Sequence, residues 1–220
     1  MDVTETAPER RHTVLIADDH TIVREGLARL LADHNFNVVA SVADGDALLA
    51  AARQLRPEII VTDISMPAGP NGLDVLARLR TEKIDSKVIV LTMHLDADLA
   101  TRATRAGASG YILKESAGEE LVAAIHQVLR GRICLSPAIT KEVMERLASP
   151  DSREERQPTD RQREVLRLIV AGHRMKEVAA RLGLSTRTVE FHKYEMMRAL
   201  GVQSTAELVR YAVEHRLVLD

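Results

Sequence analysis

Short apolar runs alternate with amphipathic segments through the first 131 residues of the chain. The runs are rich in valine and isoleucine, which predicts buried strands, and the segments that follow them have apolar residues three and four positions apart, which predicts helices. The strands are predicted at about 13–17, 37–42, 59–63, 87–91 and 111–113. Five strands alternating with five helices predict an α/β fold, a doubly wound five-stranded parallel sheet, which we place at residues 13–131.

The segments on either side of this alternation have other patterns. Residues 1–12 are polar, and we expect them to be disordered. Ser136 and Pro137 predict the start of a short helix that ends near Leu147, with serine as N-cap and proline at the first helical position. The polar stretch 149–158 contains two prolines. We therefore assign residues 132–157 to a linker with a short helix.

Residues 158–220 predict a small all-α domain of four short helices. Thr159 and Gln162 have the spacing of a capping box at the first of them. The second and third helices are joined by a turn at Gly183, an arrangement typical of a helix-turn-helix. The pattern alone leaves a second interpretation open, a helical bundle with an ordinary solvated face.

Composition and charge narrow the class of protein. The single cysteine, Cys134, excludes an intrachain disulfide and fits a reducing compartment. No apolar run is long enough to cross a bilayer, so we expect a cytoplasmic protein without a membrane partner. Residues 151–220 contain 13 basic and 11 acidic residues, against 17 and 21 in residues 1–150. Residues 151–220 therefore have a small net positive charge, the sign expected of a nucleic-acid-binding module.

Four of the five predicted strands end in an ionisable or hydroxyl residue. These residues are Asp18 with Asp19, Asp63, Thr92 and Lys114. Because parallel strands share one direction, their ends meet at one edge of the sheet. Clustered carboxylates repel one another unless a cation is present, and Mg²⁺ binds through carboxylates, phosphate oxygens and waters. A single aspartate at a strand end is more often a helix cap or a solvated loop residue, but that alternative has to explain all four ends together.

These residues resemble the receiver domain of two-component response regulators over residues 13–131. The matching residues are Asp18-Asp19-His20, Asp63-Ile64-Ser65-Met66-Pro67, Thr92 and Tyr111 with Lys114. The resemblance implies that Asp63 is the phosphoacceptor and that a sensor histidine kinase is the donor. The sequence departs from the family pattern at Glu115, where many receivers have proline, and in a longer loop at 68–71.

The same resemblance implies a role for each residue around Asp63. Asp19, Asp63 and the backbone carbonyl of Ser65 would bind Mg²⁺ directly, and Asp18 would bind it through water. Lys114 and Thr92 would contact the phosphoryl oxygens, while Tyr111 rotates in step. Phosphoryl transfer depends mainly on positioning and charge neutralisation, which these groups supply.

The C-terminal residues resemble the LuxR-type helix-turn-helix domain, and the whole chain resembles response regulators of the NarL/FixJ family. The matching segments include Lys176-Glu177-Val178-Ala179, Leu184-Ser185, Thr188 to His192 and Leu200-Gly201-Val202. The resemblance implies base-reading positions at Glu190, Phe191 and Tyr194. It implies phosphate contacts at Lys176, Arg187, Thr188, Lys193 and Arg198.

The two resemblances together imply a transcription factor controlled by phosphorylation, not an enzyme. We expect phosphorylation of Asp63 to remodel the face formed by the fourth helix and fifth strand and to free the C-terminal domain. That domain would form a homodimer through its last helix and bind double-stranded promoter DNA, with RNA polymerase as a further partner. The alternatives are a Mg²⁺-dependent phosphatase with a covalent aspartyl intermediate, a protein-binding module, and a receiver that does not respond to phosphate. The intact set of Asp18, Asp19, Asp63, Thr92 and Lys114 argues against the last.

Overall fold

The computed structural model describes residues 11–66, 69–93, 96–148, 158–215 and 217–218. The chain divides into two compact units, Met1–Leu147 and Ala148–Asp220. Residues 1–10 of the segment predicted to be disordered and residues 149–157 of the predicted linker lie outside the described residues. Within the described residues, no helix is both long enough and apolar enough to cross a membrane.

A parallel sheet forms the centre of the first unit. Its strands are β1 (Thr13–Ala17), β2 (Asn37–Val42), β3 (Ile59–Asp63), β4 (Lys87–Thr92), β5 (Gly110–Leu113) and β6 (Cys134–Leu135). Their order is β2-β1-β3-β4-β5-β6, and every neighbouring pair is parallel. The α/β class is confirmed, but the predicted number of strands is wrong. Two residues are too few to show a strand periodicity, and β6 exists because Cys134 and Leu135 pair with Gly110 and Tyr111.

Helices connect the strands and cover both faces of the sheet. They are α1 (Thr21–Asp33), α2 (Gly45–Leu55), α3 (Gly72–Thr81), α4 (Ala97–Ala106), α5 (Ala117–Leu129) and α6 (Pro137–Ala148). Helices α1 and α5 contact each other, and α3 contacts both α2 and α4. The side chains of Asp44, Asn71 and Asp96 accept hydrogen bonds from first-turn N–H groups of α2, α3 and α4, which fixes where each helix begins.

The core explains why β3 is the central strand. All five residues of β3 are buried, as expected for a strand covered on both faces. Ile59 and Val61 pack into a cluster with Leu31 of α1 and Leu121 of α5. The burial fixes the position of Asp63, the last residue of β3, at the carboxyl edge of the sheet.

The described residues of the second unit, 158–215 and 217–218, contain four helices. They are α7 (Asp160–Val170), α8 (Met175–Leu182), α9 (Thr186–Leu200) and α10 (Thr205–Glu214). The predicted capping box at Thr159 and Gln162 is confirmed, since both of its hydrogen bonds are present. Gly183 ends α8 with a left-handed φ of 65°, a conformation that favours glycine, and the chain turns there into α9. The core contains Val165, Val178, Val189 and Leu208 from the four helices.

We expect Gly72→Ala to destabilise the first unit. A Cβ at Gly72 would lie 2.7 Å from Ile64 Cα and 3.1 Å from the Asp63 carbonyl oxygen, so backbone would have to move. Overpacking of this kind costs about 1–3 kcal/mol in the free energy of unfolding. Gly118→Ala on α5 is the matched control, because a Cβ there meets nothing within 4 Å. Equal urea midpoints for the two variants would contradict the expectation.

Candidate functional site

Asp18, Asp63 and Lys114 form a buried ion cluster at the carboxyl edge of the sheet. Lys114 Nζ lies 2.6 Å from Asp18 Oδ2 and 2.9 Å from Asp63 Oδ2. The lysine side chain is only 6% exposed, and those of the two aspartates are less exposed still. Coulombic interactions strengthen as water is excluded, so one ammonium holds together two carboxylates that repel each other. The structure thus brings together residues that are far apart in the sequence.

Asp19 and His20 complete the acidic side of the cluster. His20 Nδ1 lies 3.1 Å from Asp18 Oδ1 and 3.0 Å from Asp19 Oδ1. The guanidinium of Arg24 donates to the backbone carbonyl of Asp18 at 2.6 Å. The sequence pattern predicts no role for His20 or Arg24. Their positions at the end of β1 and in the first turn of α1 could have indicated that they lie beside the acids.

The four residues Asp18, Asp19, His20 and Asp63 could hold a metal ion. Each offers one ligand atom, and these atoms all lie within 4.8 Å of one another. Three carboxylates are the hard oxygen ligands that Mg²⁺ prefers, and a partly exposed Asp19 leaves one side open to water and phosphate oxygens. The donor set therefore fits Mg²⁺.

Ser65 fixes the second oxygen of Asp63. Its backbone N–H donates to Asp63 Oδ1 at 3.0 Å, while Lys114 bonds Oδ2. The carboxylate is thus held from two directions at the end of β3. A metal contact through the carbonyl of Ser65 stays a prediction.

Thr92 and Tyr111 lie on the neighbouring strands β4 and β5, Thr92 as the last residue of β4 at the carboxyl edge of the sheet. Both side chains are buried, that of Tyr111 completely. Burial, together with the carboxylate of Asp96, raises the pKa of the Tyr111 hydroxyl far above its ordinary value. The hydroxyl is therefore neutral at any physiological pH.

The predicted DNA-reading residues of the second unit have different degrees of exposure. Glu190, Tyr194 and Arg198 are exposed on α9, Tyr194 by 52%, and Lys176 is exposed on α8. Arg187 and Lys193 are half-buried.

Phe191 and Thr188, for which DNA contacts are predicted, both have buried side chains. The Phe191 ring lies edge-on to the ring of His192, with centroids 5.9 Å apart. Thr188 Oγ1 lies 2.7 Å from Ser185 Oγ at the start of the helix. The buried face of α9 is wider than the spacing of its apolar residues predicts. It includes the completely buried carboxylate of Glu195, which that spacing does not predict.

Two family models match the chain. The response regulator receiver domain matches residues 14–126, and the luxR family of bacterial regulatory proteins matches residues 158–212. The chain belongs to the NarL/FixJ family of response regulators. It is a DNA-binding response regulator of a two-component system, as the sequence resemblance implied.

Relatives of this response regulator match it over nearly their whole length. Oxygen regulatory protein NreC of Staphylococcus aureus is 34% identical over 213 residues, which cover 93% of this chain and 98% of NreC. The RcsB response regulator of Salmonella typhimurium is 26% identical with a TM-score of 0.57, covering 92% of this chain and 98% of RcsB. A structure of two RcsB dimers bound to two parallel DNAs gives 26% identity, a TM-score of 0.59 and coverages of 93% and 98%.

We expect Lys114→Met to lower the free energy of unfolding by about 3 kcal/mol in EDTA at neutral pH, since it removes the ammonium that bridges two buried carboxylates. Lys87→Met is the control, because Lys87 is partly exposed and lies 4.0 Å from an exposed carboxylate. Its effect should stay within about 0.5 kcal/mol. Urea unfolding checks both, and a Lys114→Met variant as stable as Lys87→Met would show that the cluster does not need its ammonium.

Proposed function

We propose that Asp63 accepts a phosphoryl group from a phosphohistidine of a sensor histidine kinase. The observation that carries the proposal is the position of its carboxylate, with Oδ1 on the Ser65 N–H at 3.0 Å and Oδ2 on Lys114 Nζ at 2.9 Å. In the reaction a carboxylate oxygen bonds to phosphorus as the bond from phosphorus to the histidine nitrogen breaks. The carboxylate needs little activation, so catalysis depends on holding both reactants in line.

Asp18, Asp19, Asp63 and the carbonyl of Ser65 are the groups that would hold Mg²⁺. When bound, Mg²⁺ neutralises charge on the phosphoryl oxygens. Lys114 neutralises charge from the other side, since its ammonium already lies against Asp63. His20 and Arg24 orient the acid pair by bonding the side chain and the backbone carbonyl of Asp18.

Thr92 and Tyr111 would convert the new charge into a change of shape. Aspartyl phosphate adds negative charge and strong acceptor oxygens where a carboxylate was, and the Thr92 hydroxyl at the end of β4 can donate to them. Tyr111 is completely buried on the strand next to that of Thr92, so we expect a shift of Thr92 to be accompanied by repacking of Tyr111. The face formed by α4 and β5 thereby acquires two states that phosphorylation biases.

The second unit would carry the response to DNA. We assign the major groove to α9, with Glu190 and Tyr194 at base edges and Lys176, Arg187, Lys193 and Arg198 on phosphates. A homodimer through α10 would present two reading helices to two half-sites, and Val213, 51% exposed on α10, offers an apolar contact. The RcsB dimers bound to DNA support the proposal that this chain binds DNA as a dimer.

The remaining assignments follow from the same proposal. The receiver would occupy residues 13–131 and the DNA-binding domain residues 158–220. RNA polymerase would be a further partner at the promoter. The protein would act in the cytoplasm as a regulator, with no turnover of free phosphoesters.

Asp63→Asn should abolish phosphorylation. With acetyl phosphate and Mg²⁺, wild type should take up as much as one phosphoryl group per chain, measured by intact mass, and Asp63→Asn none, because an amide is not a nucleophile for phosphorus. Asp46→Asn, which changes an exposed aspartate of α2, should label like wild type. EDTA should stop labelling of both. Normal labelling of Asp63→Asn would sink the assignment.

Substitutions on α8 and α9 should separate affinity from specificity. Lys176→Ala should weaken binding to all DNA sequences and reduce the slope of log affinity against log salt by about one, because it loses one phosphate contact. Tyr194→Ala should cost about 1–3 kcal/mol on the preferred site and little on random DNA. Fluorescence anisotropy checks both, with Lys141→Ala on α6 as an exposed-lysine control. Salt-independent binding by wild type would favour a protein partner for this unit.

A further inference from the structure

Ser136 bonds directly to β5, the strand that presents Tyr111 and leads into Lys114. Its backbone N–H donates to the carbonyl of Tyr111 at 2.9 Å. Its Oγ accepts from the N–H of Leu113 at 3.1 Å and donates to Glu120 Oε2 of α5 at 3.0 Å. The residue is only 2% exposed, so water competes little for these three bonds.

Ser136 also sets the start of α6. The N–H of Ile139 and the hydroxyl of Thr140 donate to its carbonyl oxygen at 3.1 Å and 3.0 Å. Ile139 and Val143, in the first two turns of α6, are buried. Along the chain, α6 is the last element of that unit before the second unit begins.

The bonds of Ser136 differ from those of Ser185 and Ser204, the serines that precede α9 and α10. Ser185 and Ser204 accept from N–H groups in the first turns of their own helices, at 3.1 Å in both cases. Ser136 Oγ bonds β5 and α5 instead. The Glu120 carboxylate accepts the hydrogen bond that the Ser136 hydroxyl donates, so a lone pair of Oγ is left to accept from the Leu113 N–H. A helix cap does not require this arrangement, whereas a connection between β5 and α6 does.

We propose that Ser136 is a positioning residue that couples the phosphorylation-dependent state of β5 to α6, and thereby to the DNA-binding unit. The inference rests on the function proposed for Asp63, Thr92 and Tyr111. If Tyr111 and Lys114 move when Asp63 is phosphorylated, the Tyr111 carbonyl and the Leu113 N–H move with them. Both groups are bonded to Ser136, so the first turn of α6 follows the end of β5.

The test uses the full chain with Ser136→Ala. Phosphorylation by acetyl phosphate should stay within about twofold of wild type, because Asp63 and its partners are unchanged. The increase in DNA affinity on phosphorylation should fall by about fivefold or more, the lower range of measured couplings between sites. Hydrogen exchange of α6 should change on phosphorylation in wild type and not in the variant, a readout that simple destabilisation does not reproduce.

Two further variants keep the test decisive. Glu120 is half-buried, and Glu120→Ala removes the acceptor of the Ser136 hydroxyl while Ser136 itself is unchanged. This variant should also reduce the increase in DNA affinity on phosphorylation. Ser86→Ala is the matched control, since Ser86 Oγ donates to the Pro57 carbonyl at 2.6 Å near the start of β4, away from the phosphorylation edge. It should keep the wild-type response.

The outcomes separate the inference from the function on which it rests. If wild type gains DNA affinity on phosphorylation and both Ser136→Ala and Glu120→Ala gain as much, the coupling through Ser136 is overturned and the proposed function stands. If wild type takes up phosphate without a change in DNA affinity or in α6 exchange, the proposed control of DNA binding fails, and the coupling fails with it.

Discussion

Mutual repulsion among carboxylates at one edge of the sheet is the constraint on which the rest of the structure depends. Asp18 and Asp63 are buried at the ends of adjacent strands, where two negative charges without a cation would oppose folding. Lys114 supplies the cation from a third strand end, at 2.6 and 2.9 Å. Lys114 therefore reaches both carboxylates only when β1, β3 and β5 lie in the correct order, so the site and the topology depend on each other.

The excess of negative charge also favours a second cation at this edge. Under the proposed function, Mg²⁺ and a phosphoryl group would bring cationic and anionic charge together, so no unpaired ion would be buried. Thr92 and Tyr111, the groups proposed to sense this change, are buried in the interior. Because close packing favours discrete arrangements of such side chains, phosphorylation of Asp63 would move a face of the domain as a unit.

The sequence predicted the α/β fold and the acidic edge because both leave strong local signals. Runs such as Ile59–Val61 predict a strand buried on both faces, and the alternation with helices fixes the direction of every strand. Strand β6 and Ser136 left no such signal, since a two-residue strand depends on its partner and not on its own pattern. The burial of Phe191 and Glu195 was missed for a related reason: a 3.6-residue repeat predicts the centre of the buried sector of a helix but not its width.

The two-residue strand β6 has a further consequence for how the protein behaves at high concentration. A sheet that ended at β5 would present a row of unpaired N–H and C=O groups beside its functional residues, and such edges recruit strands from other molecules. Cys134 and Leu135 of β6 pair with Gly110 and Tyr111 along that edge. Strand β6 has only two residues, so it does not itself present a long unpaired edge. Protection against edge-to-edge aggregation is thus built into the segment that leads to α6.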